Sequence, residues 1–447
     1  NVLPSGNRAP DNKGGAGYDQ TRADFDFDRG SNAAATRIGS DGLIEKYREN
    51  VLLQSNQFDT TWTNINITHT SGQTGYDGSS NAWKSSFTAG STRVFGQTFS
   101  QTGVVTISIY VKAGNHNFIQ FVTSTSVTAY VNFDISSSSA AVGTEGTGVI
   151  DSNITSVGND WYRCSMSFNN SSSGTIYVWM IDSATSSRAS DVSTDGNILI
   201  QSAQLETGLV ATDYLNSTSV TAKAGVLIDL PRINYDANGE NGALLLEPSR
   251  QQLIQFSEYF GDSYWTKNNV SVTDNAITSP EGVDNACLLI ENTATSTHEI
   301  TKSFTNTLNA DYCISIFAKA NTRDSIRLSS SDGGFVYFNL ATGEKGTETN
   351  ATGTIEPFNN GWYKCSVVFE ALGTNGSASI RIAESDGVTS YTGQNKSIYI
   401  FGIQYEAGSY VSSYIPNHGE SGGVTRAADE HNLSDITSLI GTTQGSW

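Results

Sequence analysis

Alternation of apolar and polar side chains runs through most of the chain. Val105, Ile107 and Ile109 alternate with polar neighbours, as do Tyr162, Cys164, Met166 and Phe168, and Ile314 with Ile316. A period of two turns one face of each segment inward and the other outward, which predicts half-buried strands. Segments of about five to nine such residues recur roughly every 10 to 20 positions between Gly, Asn, Ser and Asp clusters, and no 3.6-residue period is sustained. Phe58/Trp62 and Phe260/Trp265 stand at near-helical spacing before the first strand of each set, which predicts one helical turn plugging the end of a β-structure.

The pattern occurs twice. Ser55-Asn-Gln-Phe58 with Trp62 matches Ser257-Glu-Tyr-Phe260 with Trp265, Trp161-Tyr-Arg-Cys-Ser165 matches Trp362-Tyr-Lys-Cys-Ser366, and Gln204-Leu-Glu206 matches Gln404-Tyr-Glu406, at offsets of 200 to 203. Self-similarity at a fixed spacing marks repeated domains. The economical fold is all-β: two tandem antiparallel β-sandwiches of jelly-roll type joined by β-hairpin connectors. The chain then divides into an extension with a connector hairpin (1–48), sandwich one (49–216), a connector hairpin (217–249), sandwich two (250–416) and a terminal connector (417–447). The connectors Ala23 to Tyr47 and Val226 to Pro248 each read as a hairpin, the second turning through Asn-Gly pairs that favour positive φ. The final stretch, Gly441 to Trp447, follows Ile436, Leu439 and Ile440 without a terminal cap, so the chain is expected to be a piece of a longer polypeptide.

Composition narrows the function. Charged residues are 15% of the chain, against about 25% in an ordinary soluble domain. The 25 Lys and Arg against 44 Asp and Glu leave a net charge of −19 with no basic block, which disfavours nucleic acid and anionic membranes as partners. No segment has the roughly 18 continuous apolar residues of a membrane-spanning helix, and no export signal is visible.

The order of several motifs carries a resemblance. Leu244-Leu-Leu-Glu-Pro-Ser-Arg250 is followed by Ser-Glu-x-Phe with Trp-Thr, then Gly361-Trp-Tyr-Lys-Cys-Ser366, Gln-x-Glu-x-Gly and Ser413-Tyr-Ile-Pro416, with Phe25-Asp-Phe-Asp-Arg29 and Asp41-Gly-Leu-Ile-Glu45 as a lead-in. Over most of residues 20 to 430 this resembles modules of bacteriophage tail-fibre, tail-spike and other virion surface proteins. The resemblance implies carbohydrate-binding-module-like jelly rolls at a virion surface, and a lectin-type domain following the stretch from Val424.

Catalytic signals are few. His69, His116, His298, His418 and His431 lie far apart in polar stretches, with no zinc spacing, and read as surface histidines. Glu206 and Glu406 occupy equivalent places on a late strand, where a structural hydrogen bond is the preferred reading over catalysis. Cys164 and Cys365 read as core thiols, while Cys287 and Cys313 are either free or joined in a disulfide. Trp62, Trp265, Trp161 and Trp362 are duplicated with their surroundings and read as packing residues. No cofactor is expected; a structural calcium at Asp182, Asp191 and Asp195 is the open alternative, although no regular acidic loop is present.

Strand parity singles out a surface. Val178 and Met180 match Ile380 and Ile382, so this face is the core and Tyr177 and Trp179 point away from it. The same test turns Phe118, Gln120, Tyr130 and Asn132 outward in copy one, and Arg327, Phe335, Tyr337 and Arg381 outward in copy two. Aromatic rings with amides suit sugar rings, and isolated arginines suit an acidic sugar. The expected function is a non-catalytic adhesin at a phage virion surface, extracellular and homo-oligomeric, whose partners are host cell-surface polysaccharide and other virion proteins. The alternatives are a structural virion module, whose outward faces pack on neighbouring subunits, and the accessory glycan-binding part of a polysaccharide-degrading enzyme.

Overall fold

The computed structural model describes residues 24–31 and 34–434. The extension before residue 24 and the stretch from Gly441 to Trp447 therefore lie outside the described residues. Sandwich one packs two six-stranded antiparallel sheets face to face. The first runs in the order Ala141–Glu145, Tyr130–Asp134, Phe118–Thr123, Gly174–Met180, Val94–Phe99, Thr63–Ile65. The second runs Val149–Gly158, Trp161–Asn170, Gly103–Ala113, Gly196–Thr207, Ala82–Phe87, Thr68–Gln73. Sandwich two repeats both orders strand for strand, Glu344–Thr349 to Thr266–Asn268 in one sheet and Thr352–Pro357 to Val270–Ile277 in the other, and adds Ser390–Thr392 beside Thr295–Thr305.

The alternating positions meet where parity places them. Val105, Ile107, Ile109, Cys164, Met166 and Phe168 of one sheet pack against Ile119, Phe121, Val131, Phe133, Val178 and Met180 of the other. Ile314, Ile316, Cys365, Val367, Ile326, Leu328, Ile380 and Ile382 do the same in sandwich two. All four cysteines are buried free thiols, so Cys287 and Cys313 form no disulfide. Burial pushes the Cys313 thiol up to about 12.

The expected helical turn at each sandwich end is not helical. Phe58 and Trp62 do plug the core, with ring centroids 5.1 Å apart, but the segment is a series of turns and bends. Asn64 Nδ2 donates to the Phe58 carbonyl at 2.9 Å and the Trp62 indole to the Gln54 carbonyl at 3.1 Å, so side chains take acceptors that a helix would use itself. Phe260 and Trp265 behave alike, with the Trp265 indole donating to the Phe256 carbonyl at 3.3 Å.

The histidines also depart from expectation. His298 is fully buried against Tyr391, His116 is buried edge-on to Phe87, and His69 and His418 are half-buried. Their polar sequence neighbours lie on the other face of a strand or in loops, so local polarity does not report burial. The side chain of His431 lies outside the described residues.

The connectors are hairpins over Thr36–Ile38 with Ile44–Lys46 and over Ile233–Asn234 with Ala243–Leu244. Asp24–Asp28, expected within the first hairpin, pairs instead with Glu430–Ser434. The strand entering each sandwich is closed by the strand leaving it: Arg48–Asn50 pairs with Ala222–Ala224, and Arg250–Gln252 with Val424–Arg426.

Hairpin one does not dock on the sandwich that follows it in sequence. Ile44 is buried against Phe317, Trp362, Phe401 and Tyr414 of sandwich two, its N–H donates to the Pro280 carbonyl at 2.9 Å, and Lys46 Nζ lies 2.8 Å from Glu281. In sandwich one Tyr76 stands at the position of Pro280 and stacks on Tyr110 at 3.9 Å, closing the matching aromatic patch from within its own loop. Nearby, Arg232 and Arg426 are fully buried and share Glu247 at 2.9 and 3.1 Å. Asp429 binds both Arg232 and Arg29, which ties the entry, middle and exit segments together.

Candidate functional site

The parity-derived residues of sandwich one do share a face. Gln120 stands opposite Asn132 on one side and Trp179 on the other, and Val122 stands opposite Tyr130 and Tyr177 in the next row; Phe118 ends the face opposite Asp134. Gln120 and Asn132 nevertheless have no exposure, which corrects the expectation of open amides. Residues 182–192 lie across them. Gln120 Nε2 donates to Asn132 Oδ1 at 2.6 Å and to the Ser187 carbonyl at 3.1 Å, while its Oε1 accepts the Ala189 N–H at 2.6 Å. Asn132 Nδ2 donates to the carbonyls of Ala184 and Ser186 at 3.1 and 2.8 Å, and the Trp179 indole donates to the Ser190 carbonyl at 2.9 Å. A covering loop without strand structure must place its backbone polar groups somewhere, and the two amides take them. Phe118, Tyr130, Tyr177 and Trp179 remain half-buried.

Two of the three carboxylates that raised calcium brace this loop and its exit. Asp182 accepts the Ser193 N–H at 2.8 Å and Asp195 accepts the Ala89 N–H at 2.7 Å, while Asp191 is exposed.

In sandwich two the segment matching the cover, residues 384–396, folds to the sheet edge, where Ser390–Thr392 pairs with Thr295–Thr297. The outward face is a transverse row across five strands: Asn268, Glu299, Arg381, Arg327, Tyr337. Glu299 is absent from the sequence-derived candidates, although its alternation with the buried Ile300 carries the signal. It pairs with Arg381 and accepts from Ser379 at 3.0 Å and Asn268 at 3.2 Å. Arg381 is therefore not the isolated cation expected. Burial works against the Glu299 carboxylate, but its bonds and charge contact with Arg381 outweigh that and hold it below the usual range.

Arg327 is left as the open cation. Among the described residues no carboxylate lies within ion-pair distance of it, and its buried Nε has no hydrogen-bond partner. Its guanidinium stacks over the Phe335 ring at 4.2 Å and lies 5.9 Å from the Tyr337 ring. Burial and the neighbouring Arg381 both depress its basicity. Tyr337 itself is buried beneath this group, so it supports Arg327 and presents no open ring.

Glu206 and Glu406 have structural partners. Glu206 accepts the Thr212 N–H at 2.9 Å and Glu406 the Ser412 N–H at 2.8 Å, each closing the turn that leaves its sandwich.

No protein-family model matches the sequence, and no curated protein matches it. Among solved structures, the chain is similar to the enzymatically active domain of tailspike protein 4 of bacteriophage CBA120, at 16% identity and a TM-score of 0.23, over 35% of this chain and 21% of that one. It is also similar to the ANXUR1 extracellular domain of Arabidopsis thaliana, at 10% identity and a TM-score of 0.21, over 82% and 97% of the two chains. A cycloisomaltooligosaccharide glucanotransferase of Paenibacillus, solved with cycloisomaltoheptaose, follows at 11% identity and a TM-score of 0.19, over 74% and 47%. Likeness at this level assigns neither a family nor an activity.

Proposed function

We propose that this chain is a non-catalytic adhesin module of a phage virion surface, and that the outer face of sandwich two holds acidic host glycans. The observation that carries the reading is Arg327, a guanidinium stacked on Phe335 with no carboxylate partner, in a chain of net charge −19. A cation kept unpaired beside Arg381 gains most from an anion supplied by a ligand, and a guanidinium meets a sugar carboxylate or sulfate in fork geometry. The motif order shared with tail-fibre and tail-spike modules supports the setting. Homo-oligomeric assembly with other virion proteins belongs to the same reading.

The test is binding of the full chain to a panel of uronic-acid, sialylated and neutral polysaccharides at low salt. Arg327→Ala abolishes binding to the anionic members if the reading holds. Retained binding in that variant, or equal binding of anionic and neutral members, overturns it.

A structural role as a spacer has its own support. The docking of hairpin one on sandwich two and the buried Arg232, Arg426, Glu247 and Asp429 group favour a fixed angle between the sandwiches.

A further inference from the structure

A trough runs along the seam between the sandwiches in two lobes, of about 740 Å³ and 660 Å³. Ala211 of sandwich one and Gly282 and Val283 of sandwich two line both lobes. The first lobe is walled by the two connector hairpins, through Arg37, Lys46 and Tyr235, and the second by Asp151, Asn153 and Asn275. Its polar groups are not all satisfied within the protein. The Glu281 side chain is only 5% exposed, lines the first lobe, and has a buried Oε1 with no donor among the described residues. In the second lobe, among the described residues, Asn275 Oδ1 is an acceptor without a donor and Arg163 Nε a donor without an acceptor.

We infer that this trough is a second ligand site and that its ligand is a neutral oligosaccharide. An acceptor left unpaired beside the first lobe, and an acceptor and a donor left unpaired beside the second, are costly unless a ligand pairs both kinds. A sugar hydroxyl donates and accepts at once. The lining offers hydroxyls at Ser40, Thr155, Ser165 and Thr278 and amides at Asn153 and Asn275, groups that pair with sugar hydroxyls. Charge disfavours an acidic ligand here: Asp41, Asp151, Asp213, Asp284, Glu45 and Glu281 line the trough, while of its cations Arg37 and Lys46 are paired with Glu45 and Glu281, and Arg48 and Arg163 are engaged by Thr212 and Ser108. A seam between domains is also where extended ligands commonly sit. The site is independent of Arg327 and of the anionic glycan assigned to it.

The test titrates the full chain with maltohexaose, cellohexaose and mannohexaose, read by calorimetry and saturation-transfer NMR. Ala211→Trp fills the junction of the lobes and Asn275→Ala removes one unpaired acceptor. At least one sugar binds the parent chain, Ala211→Trp weakens it at least tenfold, Asn275→Ala weakens it severalfold, and Arg327→Ala leaves it unchanged. Failure of all three sugars to bind below about 10 mM overturns the inference. So does binding that survives both trough variants, or that is lost in Trp179→Ala and places the sugar on the face of sandwich one. If Ala211→Trp fails to fold, the Asn275→Ala comparison decides.

Discussion

Arg327 and Arg381 stand directly opposite each other on neighbouring strands, yet among the described residues only Arg381 has a carboxylate partner, that of Glu299. Two like charges side by side are tolerable because one is neutralised and the other faces the negative π face of Phe335. The pair therefore divides its roles between support and recognition.

Their variants separate accordingly. Arg381→Ala leaves Glu299 half-buried without its cation and costs about 1–3 kcal/mol. Arg327→Ala changes the melting temperature little while removing anionic-glycan binding. Chemical denaturation of both variants checks this, and a larger loss for Arg327→Ala contradicts the division.

The covered face of sandwich one makes a different prediction. Asn132→Ala frees the carbonyls of Ala184 and Ser186, and Gln120→Ala frees the Ala189 N–H, each at about 1–3 kcal/mol. Hydrogen exchange speeds up across residues 182–192 first, with the core strands Gly103–Ala113 and Trp161–Asn170 still protected. Uniform acceleration through the whole sandwich would show that the loop is not a separable cover.

Acid sensitivity is expected at His69. Burial among Phe58 and Phe95 pushes its imidazole down to about 4, against a weaker pull upward from Asp59. The unfolded chain then binds a proton between pH 6.5 and 4 that the folded chain does not, so this stability is present above about 6.5 and lost as pH falls toward 4. NMR titration of the ring gives a midpoint near 4, and His69→Gln flattens the stability profile in that window. A midpoint at 6 or above refutes it.

Thiol chemistry is expected to be silent in the folded protein. Cys164, Cys287 and Cys365 have no exposure and Cys313 almost none, and burial raises all four thiols. A thiol reagent labels none of them natively and all of them in denaturant, and reductant leaves the melting temperature unchanged.

The sequence by itself determined the strands, the duplication and the direction each strand residue faces. The inward set Ile119, Phe121, Val178 and Met180, and the packing roles of Trp161 and Trp362, follow from alternation and from comparing two copies, both local properties. Only the tertiary structure decided what lies over an outward face. Parity turns Gln120 and Asn132 away from the core but carries no information about residues 182–192, which return across them. The partner of Arg381 sits 82 positions away at Glu299, and hairpin one finds its platform on sandwich two because Pro280 leaves room for Ile44 where Tyr76 leaves none in sandwich one. These are meetings of distant segments, set by volume and charge in three dimensions, and no period along the chain encodes them.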